Sequence, residues 1–361
     1  MSIIQKLTLR HLKKNKRRTL VTIIGVIVSV AMVTAVLTLG ISFMDSLVRQ
    51  HIADNGEWHV KYENINPEQM TSIKQDDFTE TFIISNEGYA KLEGSTNYYK
   101  PYIYFKNLNE AGLEQFPIEL IEGRLPSSSS EVAISKDIIK NTEIPYEIGD
   151  TFTFDIGYRM SSYEDKQFNQ TDVLERDESG IVEQLEIVET KTVTIVGVIE
   201  RPIWEKAWSP GYTAIGYVDE SSWDGNRKID AYVTVPKVDT SIYNKVKTIA
   251  DNYGVKKYSF NTELFRLLGV TENDRVRTTF YSIIAIVLSI IIIGSVALIY
   301  NAFAISVSER SRHLGMLSSV GATRKQKRDS VLFEGFVVGA ISIPIGIISG
   351  LLGIYVTFMY I

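Results

Sequence analysis

Three long apolar segments interrupt an otherwise polar sequence of 361 residues. Residues 20–43 and 279–305 contain no charged side chain, and residues 331–361 contain only Glu334. About 20 predominantly apolar residues are enough for a helix to cross the hydrocarbon core of a bilayer. The pattern therefore predicts three transmembrane helices over these ranges, because a buried helix of a soluble protein seldom runs this long without a charge.

The polar segment before the first span, residues 1–19, has the pattern of a basic amphipathic helix. Ile4, Leu7 and Leu12 can share one side of it, whereas its lysines and arginines point elsewhere. Such a helix lies at the membrane interface, where its cations meet anionic lipids of the cytoplasmic leaflet. A cleavable signal peptide is the alternative, but its apolar core covers only about 7–15 residues. The sequence therefore favours an uncleaved first span.

Residues 44–278 form a separate domain of mixed α and β pattern that is large enough to have its own core. Residues 231–260 predict a strand, a helix and a second strand, which together make half of a ferredoxin-like unit. Strand-like segments within residues 57–105 are expected to supply the other half. The acidic stretch 162–190 is polar enough to be partly disordered.

Charge is partitioned along the chain. Residues 1–43 carry seven Lys or Arg and no acidic residue, whereas residues 44–278 carry a net charge of −15. A second basic cluster lies at 310–328. Basic segments that flank transmembrane helices stay in the cytoplasm, so we expect the N-terminus and residues 306–330 there and residues 44–278 outside. A domain this acidic repels phosphate, which argues against nucleic acid as a partner.

The cytoplasmic segment between the second and third spans carries local signals for a short helix, a stop and a new helix. Ser308 fits an N-cap, and Gly321 stands where a left-handed residue ends a helix. Thr323 and Gln326 fit a capping box that opens the next helix. These signals predict a surface helix over residues 309–320. A basic loop with no special role would have a similar composition.

The residue types and spacing from position 309 to position 326 resemble the signature of FtsX/MacB-type ABC transporter permeases. In that family the segment forms a cytoplasmic coupling helix that seats on the ATPase subunit. By this resemblance, the expected contacts with an ATPase subunit are Glu309, Arg310, Arg312, Gly315, Leu317, Gly321, Ala322 and Gln326.

Three β motifs in the outer domain, at residues 131–135, 148–152 and 196–199, resemble the periplasmic core domain of MacB-type permeases. The resemblance implies that a β-rich lobe, at about residues 106–228, is inserted into a ferredoxin-like porter lobe. The expected fold class is therefore a membrane protein with an α-helical transmembrane bundle and an α+β extracytoplasmic domain, in a bacterial plasma membrane.

The resemblance implies a non-catalytic permease subunit of an ABC transporter that works by mechanotransmission. A partner ABC ATPase subunit would hold ATP and Mg²⁺, since the Gly-Lys pair of an ATP-binding loop does not occur in this chain. The substrate expected at the outer membrane face is a peptide, a lipid or a lipoprotein. A second permease copy or half would complete the assembly.

Other readings of the sequence stay open at this point. One is a signalling protein of the same family that controls an extracellular partner, such as a cell-wall hydrolase or a peptide-sensing kinase. Another is a receptor ectodomain that binds no ATPase. The family's four-span unit needs one helix more than this sequence provides, so we expect the chain to be a fragment or truncated product of a longer permease.

Small residues in the third span are spaced so that a neighbouring helix can approach closely. They predict a helix-packing seam, the alternative being a span that merely tolerates glycine. The four residues concerned are Gly335, Gly339, Gly346 and Gly350.

The outer domain holds one unusual aromatic loop. Trp204 and Trp208 lie near two prolines and could form a partner-binding patch or simply pack inside the lobe. The four histidines are scattered and cysteine is absent, so the sequence predicts no metal site, no bound cofactor and no catalytic residue in this chain.

Overall fold

The computed structural model describes residues 3–178, 180–220, 229–271, 275–319 and 323–360. The chain divides into two compact units. The first, which we call the helical unit, comprises Met1–Ser46 and Asp274–Ile361. The second, the sheet unit, comprises Leu47–Asn273.

The helices are α1 (Ile3–Lys14), α2 (Lys16–Asn55), α3 (Pro67–Lys74), α4 (Glu110–Gln115), α5 (Lys136–Lys140), α6 (Ile242–Tyr253), α7 (Thr262–Leu268), α8 (Arg275–Ser319) and α9 (Arg324–Tyr360). The strands are β1 (Val60–Ile65), β2 (Thr81–Lys91), β3 (Tyr102–Leu108), β4 (Leu120–Gly123), β5 (Glu131–Ser135), β6 (Thr151–Met160), β7 (Gln167–Phe168), β8 (Arg176–Asp177), β9 (Gly180–Ile181), β10 (Gln184–Ile199), β11 (Gly211–Tyr217), β12 (Ile229–Thr234) and β13 (Tyr258–Phe260).

All three apolar segments lie in helices that are long and apolar enough to cross a membrane. The qualifying segments are Thr19–Asn55 of α2, Arg277–Asn301 of α8 and Arg324–Tyr360 of α9. Most of their large apolar side chains are exposed on the surface of the helical unit. An apolar exterior of this extent suits contact with lipid rather than with water.

The helix that contains the second span does not stop where the sequence signals predicted. α8 is a single helix of 45 residues from Arg275 to Ser319, so the separate helix start at Ser308 was wrong. Residues 279–319 contain no proline, and each further helical residue adds a backbone hydrogen bond without a new nucleation cost. Continuation therefore wins over a local N-cap preference. The predicted stop at Gly321 lies outside the described residues.

One face of α9 is buried at every fourth residue, which is the spacing of a helix-packing ridge. The buried positions on this face are Ser330, Glu334, Val338, Ser342, Gly346 and Gly350. α1 packs against α9, and the Thr8 and Ser330 hydroxyl oxygens lie 2.9 Å apart in a buried hydrogen bond.

Four strands of the sheet unit form the predicted ferredoxin-like lobe. They lie in the order β13-β1-β12-β2, and each is antiparallel to its neighbour. α3 and α6 pack on this part of the sheet over a core that includes Ile73, Val246 and Phe265. α3 begins with Pro67 in its first turn and with a capping box between Asn66 and Gln69. The α+β fold class is confirmed.

The inserted lobe is continuous with the ferredoxin-like lobe rather than separate from it. The sheet continues from β2 through β3, β11, β5, β10 and β6. The second core combines Phe105 of β3 with Ile134, Ile195 and Tyr212 of later strands. A lobe boundary at residue 106 would therefore cut β3 in half. The early part of β2 pairs with β12 and the late part with β3, so one long strand serves both lobes.

The described residues of the acidic stretch, 162–178 and 180–190, form short strands and turns around a buried arginine, where the sequence predicted partial disorder. The guanidinium of Arg159 donates to the carbonyl oxygens of Asn169, Asp172 and Val173 at 2.8–3.3 Å. It also forms a bidentate pair with Glu183 at 2.7 and 2.8 Å. Both side chains of this pair are fully buried. Three short strands and the start of β10 replace the expected loop.

Candidate functional site

The last residues of α8 and the first residues of α9, at positions 315–319 and 323–326, are called the α8–α9 junction here. They include an exposed glycine and a capped helix start. Gly315 is exposed on α8, and a Cβ added there would meet no heavy atom within 4 Å. The Thr323 N–H donates to Gln326 Oε1 at 2.9 Å, and the Gln326 N–H donates to Thr323 Oγ1 at 3.3 Å. The predicted capping box is therefore confirmed. Gln326 is exposed, so the start of α9 is open to a partner.

The other expected ATPase contacts are placed only in part. Four of them lie on the backbone of α8: Glu309, Arg310, Arg312 and Leu317. Glu309 is three positions from Arg312, whereas Arg310 has no other member of the set three or four positions away. Residues three and four apart are neighbours on a helix surface. Arg312 is three positions from Gly315. Gly321 and Ala322 lie outside the described residues.

α1 and the first residues of α9 together form a basic surface. The Thr8–Ser330 hydrogen bond joins the two helices. The exposed basic side chains on the two helices are Lys6, Arg10, Lys13, Lys14, Arg324, Lys325 and Arg328. Such a density of positive charge favours anionic lipid headgroups or an acidic protein surface.

The far end of α2 is held in the sheet unit by Asn261, a residue that the sequence analysis missed. Residues 47–55 of α2 belong to that unit, and His51 Nε2 lies 3.1 Å from Asn261 Oδ1. The Asn261 side chain donates to the Trp58 carbonyl at 3.0 Å. Its Oδ1 also accepts from the Leu264 N–H at 3.2 Å and caps α7. We call this set of contacts the Asn261 anchor.

A buried histidine supports the same region. His59 Nδ1 accepts a hydrogen bond of 2.9 Å from the Val235 N–H. Burial lowers the pKa of His59 to about 4, because a charged imidazolium would lose its hydration there. His59 is therefore neutral at physiological pH, and its contact with Val235 is structural.

A sequence signal that could have located the Asn261 anchor is the Asn-Thr-Glu run at 261–263, which is typical of a helix N-cap.

The two tryptophans of the aromatic loop have different environments. The ring of Trp204 packs edge-on against Phe116, with ring centroids 5.8 Å apart, and belongs to the core. Trp208 is 56% exposed, and its indole N–H donates to the Thr171 carbonyl at 3.0 Å. Trp208 is therefore the more exposed of the two and Trp204 is partly buried, and a partner-binding patch at this loop stays a prediction.

The glycines of α9 also divide into two pairs. A Cβ at Gly346 would lie 2.7 Å from Val30 Cβ, and one at Gly350 would lie 2.7 Å from the Ala31 carbonyl oxygen. Both of these positions press against α2. Gly335 is only partly buried, and a Cβ at Gly339 would meet only Ile343 of its own helix.

Comparison with known proteins decides the family. The model of the MacB-like periplasmic core domain matches residues 19–250, and that of the FtsX-like permease C-terminal domain matches residues 285–360. The first match alone spans more than half of the chain. The chain belongs to the FtsX/MacB family of ABC-type permeases. The resemblance inferred from the segment at 309–326 and from the β motifs of the outer domain is confirmed at the level of the family.

Relatives with assigned names lie within the same family. The chain is 23% identical over 348 residues to the macrolide export ATP-binding/permease protein MacB of Photorhabdus laumondii, covering 94% of this chain and 50% of the relative. It is 29% identical over 103 residues to the protein of the same name from Campylobacter jejuni, covering 28% of this chain and 15% of the relative. The chain therefore spans about half the length of the Photorhabdus relative.

Solved structures of outer domains are also similar to this permease. The periplasmic region of MacB from Actinobacillus actinomycetemcomitans matches at 8% identity, with a TM-score of 0.36, covering 63% of this chain and all of that chain. The extracellular domain of the ABC-type transporter YknZ from Gram-positive bacteria matches at 12% identity, with a TM-score of 0.34, covering 56% of this chain and 98% of that chain.

Proposed function

We propose that this permease works by mechanotransmission. A partner ABC ATPase subunit binds and hydrolyses ATP with Mg²⁺ and displaces the α8–α9 junction. The displacement travels along the long helices to the sheet unit, which moves or releases a substrate at the outer membrane face. The substrate class that we propose is a peptide, a lipid or a lipoprotein. A second permease copy or half completes the assembly.

The observation that carries this proposal is the unbroken length of two helices. α2 has 40 residues and α8 has 45, which at about 1.5 Å per residue corresponds to roughly 60 and 68 Å. A bilayer with its headgroups is about 40–45 Å thick. Each helix is therefore long enough to cross the membrane and continue beyond it as one hydrogen-bonded rod.

Three local contacts between α2 and α8 support concerted movement of the two helices. The rings of Phe43 and Phe280 stack with centroids 5.6 Å apart. A Cβ added at Gly40 would lie 2.6 Å from Ile284 Cδ1, and one added at Gly25 would lie 2.7 Å from Leu298 Cδ2. Because these contacts are already at van der Waals distance, we propose that displacement of one helix towards the other moves both at these three points.

The Asn261 anchor supports transfer of that movement into the sheet unit. His51 is one helical turn before the end of α2, and Asn261 joins it to α7 and to the backbone before β1. Asn261 is only 4% exposed, so its hydrogen bonds are shielded from competing water. A shift of the end of α2 would therefore displace two parts of the ferredoxin-like lobe, α7 and the backbone before β1.

The proposed orientation has the N-terminus and the α8–α9 junction in the cytoplasm and the sheet unit outside the plasma membrane. The basic surface supports the cytoplasmic assignment, since Lys and Arg are retained on that side. The net charge of −15 over residues 44–278 supports the opposite assignment for the sheet unit.

Single-cysteine labelling tests this orientation, and the chain has no native cysteine to interfere. Ser129 and Lys325 are both exposed. In intact cells, a membrane-impermeant maleimide is expected to label Ser129→Cys and to label Lys325→Cys only after permeabilisation. Equal labelling of both variants in intact cells would place the two sites on the same side and end the proposal, because force would then have no membrane to cross.

A further inference from the structure

An apolar groove lies where α1 turns into α2, beside α9. We call it the elbow groove; its volume is about 270 Å³, and its walls include Leu9, Leu12, Lys13, Lys16, Val338 and Ile341. Leu12 and Val338 form its buried floor, whereas Ile341 is 46% exposed at its edge. Nothing in the proposed coupling role uses this groove.

Two lysines line the elbow groove, and the chain around them contains no acidic residue. The Thr19 hydroxyl also lines the groove, but it donates to the Leu12 carbonyl at 3.2 Å. Lys13 and Lys16 are exposed, and residues 1–43 contain no acidic residue. Two exposed lysines therefore border an otherwise aliphatic groove that their stems help to line, which is an arrangement suited to a ligand with an anionic head and an apolar tail.

We propose that the elbow groove binds one anionic glycerophospholipid. An acyl chain lies against Leu12, Val338 and Ile341, and the phosphodiester lies between the ammonium groups of Lys13 and Lys16. The groove volume of about 270 Å³ is several times the roughly 30 Å³ that one water molecule occupies. The groove can therefore hold a segment of one acyl chain, and the remainder of the lipid stays in the bilayer. α2 and α9 are both long and apolar enough to span a membrane, so a groove between them is accessible to lipids of the bilayer.

The position of the groove gives the lipid a structural consequence. α1, which carries much of the basic surface, is held to α9 by the Thr8–Ser330 hydrogen bond at one point. A lipid in the groove adds contacts between α1, α2 and α9 about one helical turn further along α1. The site requires only that these helices lie in a bilayer, and it does not depend on the coupling role of the α8–α9 junction.

Native mass spectrometry of the delipidated full chain in detergent tests the proposal. Palmitoyl-oleoyl phosphatidylglycerol is titrated, and phosphatidylcholine with the same chains serves as the zwitterionic comparison. We expect one tightly bound phosphatidylglycerol, with weaker binding of phosphatidylcholine. The double variant Lys13→Glu/Lys16→Glu is expected to weaken phosphatidylglycerol binding by roughly tenfold to thirtyfold, since each basic group near a lipid surface contributes to attraction of the anionic headgroup.

A matched variant controls for net charge. Lys6→Glu/Lys325→Glu makes the same change in charge at exposed residues outside the groove. Lys6 is seven residues from Lys13 along α1, and Lys325 is thirteen residues from Val338 along α9, which at about 1.5 Å per residue exceeds a Debye length of about 10 Å. We therefore expect binding in the groove to stay within about twofold of the unmodified chain. Ile341→Trp fills the groove and is expected to abolish the tight binding. Equal loss in both lysine pairs would overturn the headgroup site. Unchanged binding in Ile341→Trp would overturn the acyl-chain site and leave only a phosphate-binding surface.

Discussion

Gly315→Trp is expected to weaken binding of the proposed ATPase subunit by at least about tenfold. Gly315 is exposed on α8, and a Cβ there would meet no heavy atom within 4 Å. An indole at this position would fill space that a docked subunit needs. Changes at the centre of a protein interface commonly cost 2 kcal/mol or more, which corresponds to about thirtyfold in affinity. The measurement is titration of the purified full chain with the purified ATPase subunit.

A second glycine on the same helix provides the control. A Cβ at Gly294 also meets nothing within 4 Å, but Gly294 lies inside the apolar span. Gly294→Trp changes the same residue type in the same helix and is expected to leave ATPase binding unchanged. We expect Arg312→Glu, one helical turn from Gly315, to weaken binding as well. Binding at full strength by both Gly315→Trp and Arg312→Glu would remove the α8–α9 junction from the interface.

Arg159→Ala is expected to destabilise the sheet unit by about 3–5 kcal/mol, because it leaves the fully buried carboxylate of Glu183 without its partner. The substitution also removes the donors to three loop carbonyls. Denaturant titration of the full chain, followed by tryptophan fluorescence, measures the loss. All four tryptophans of the sequence fall between positions 47 and 273, the residue range of the sheet unit, so the signal reports on that range.

An exposed pair of the same chemistry is the matched control. Arg124 donates to Glu131 at 2.7 Å through one guanidinium nitrogen, and the Arg124 side chain is 54% exposed. Arg124→Ala is expected to cost less than about 1 kcal/mol, since exposed ion pairs gain little over their hydration. Equal costs for the two substitutions would show that burial does not determine the contribution of Arg159.

The features that were predicted correctly from the sequence are those set by long-range composition or by short local motifs. The three apolar segments and the capping box at Thr323 each need only neighbouring residues to be recognised. The ferredoxin-like half at residues 231–260 was recognised because a strand, a helix and a strand follow one another directly.

The features that were missed depend on residues distant in sequence. The residues next to Arg159 in sequence do not indicate that its side chain is buried. Its partner Glu183 and the carbonyl oxygen of Asn169 are 24 and 10 residues away, in a segment whose conformation depends on these hydrogen bonds. The Asn261 anchor joins residues about 210 positions apart. At Ser308 the local signal was present, but the cooperative extension of α8 overrode it.

Hydrogen exchange of the complex between the full chain and the proposed ATPase subunit tests mechanotransmission most directly. Exchange is compared with and without a non-hydrolysable ATP analogue, in residues 47–55 of α2 and 262–268 of α7. Our account predicts that nucleotide changes exchange in both segments, and that three glycines inserted after Ser46 abolish the change without preventing ATPase binding. A nucleotide effect confined to residues 309–326 would contradict it.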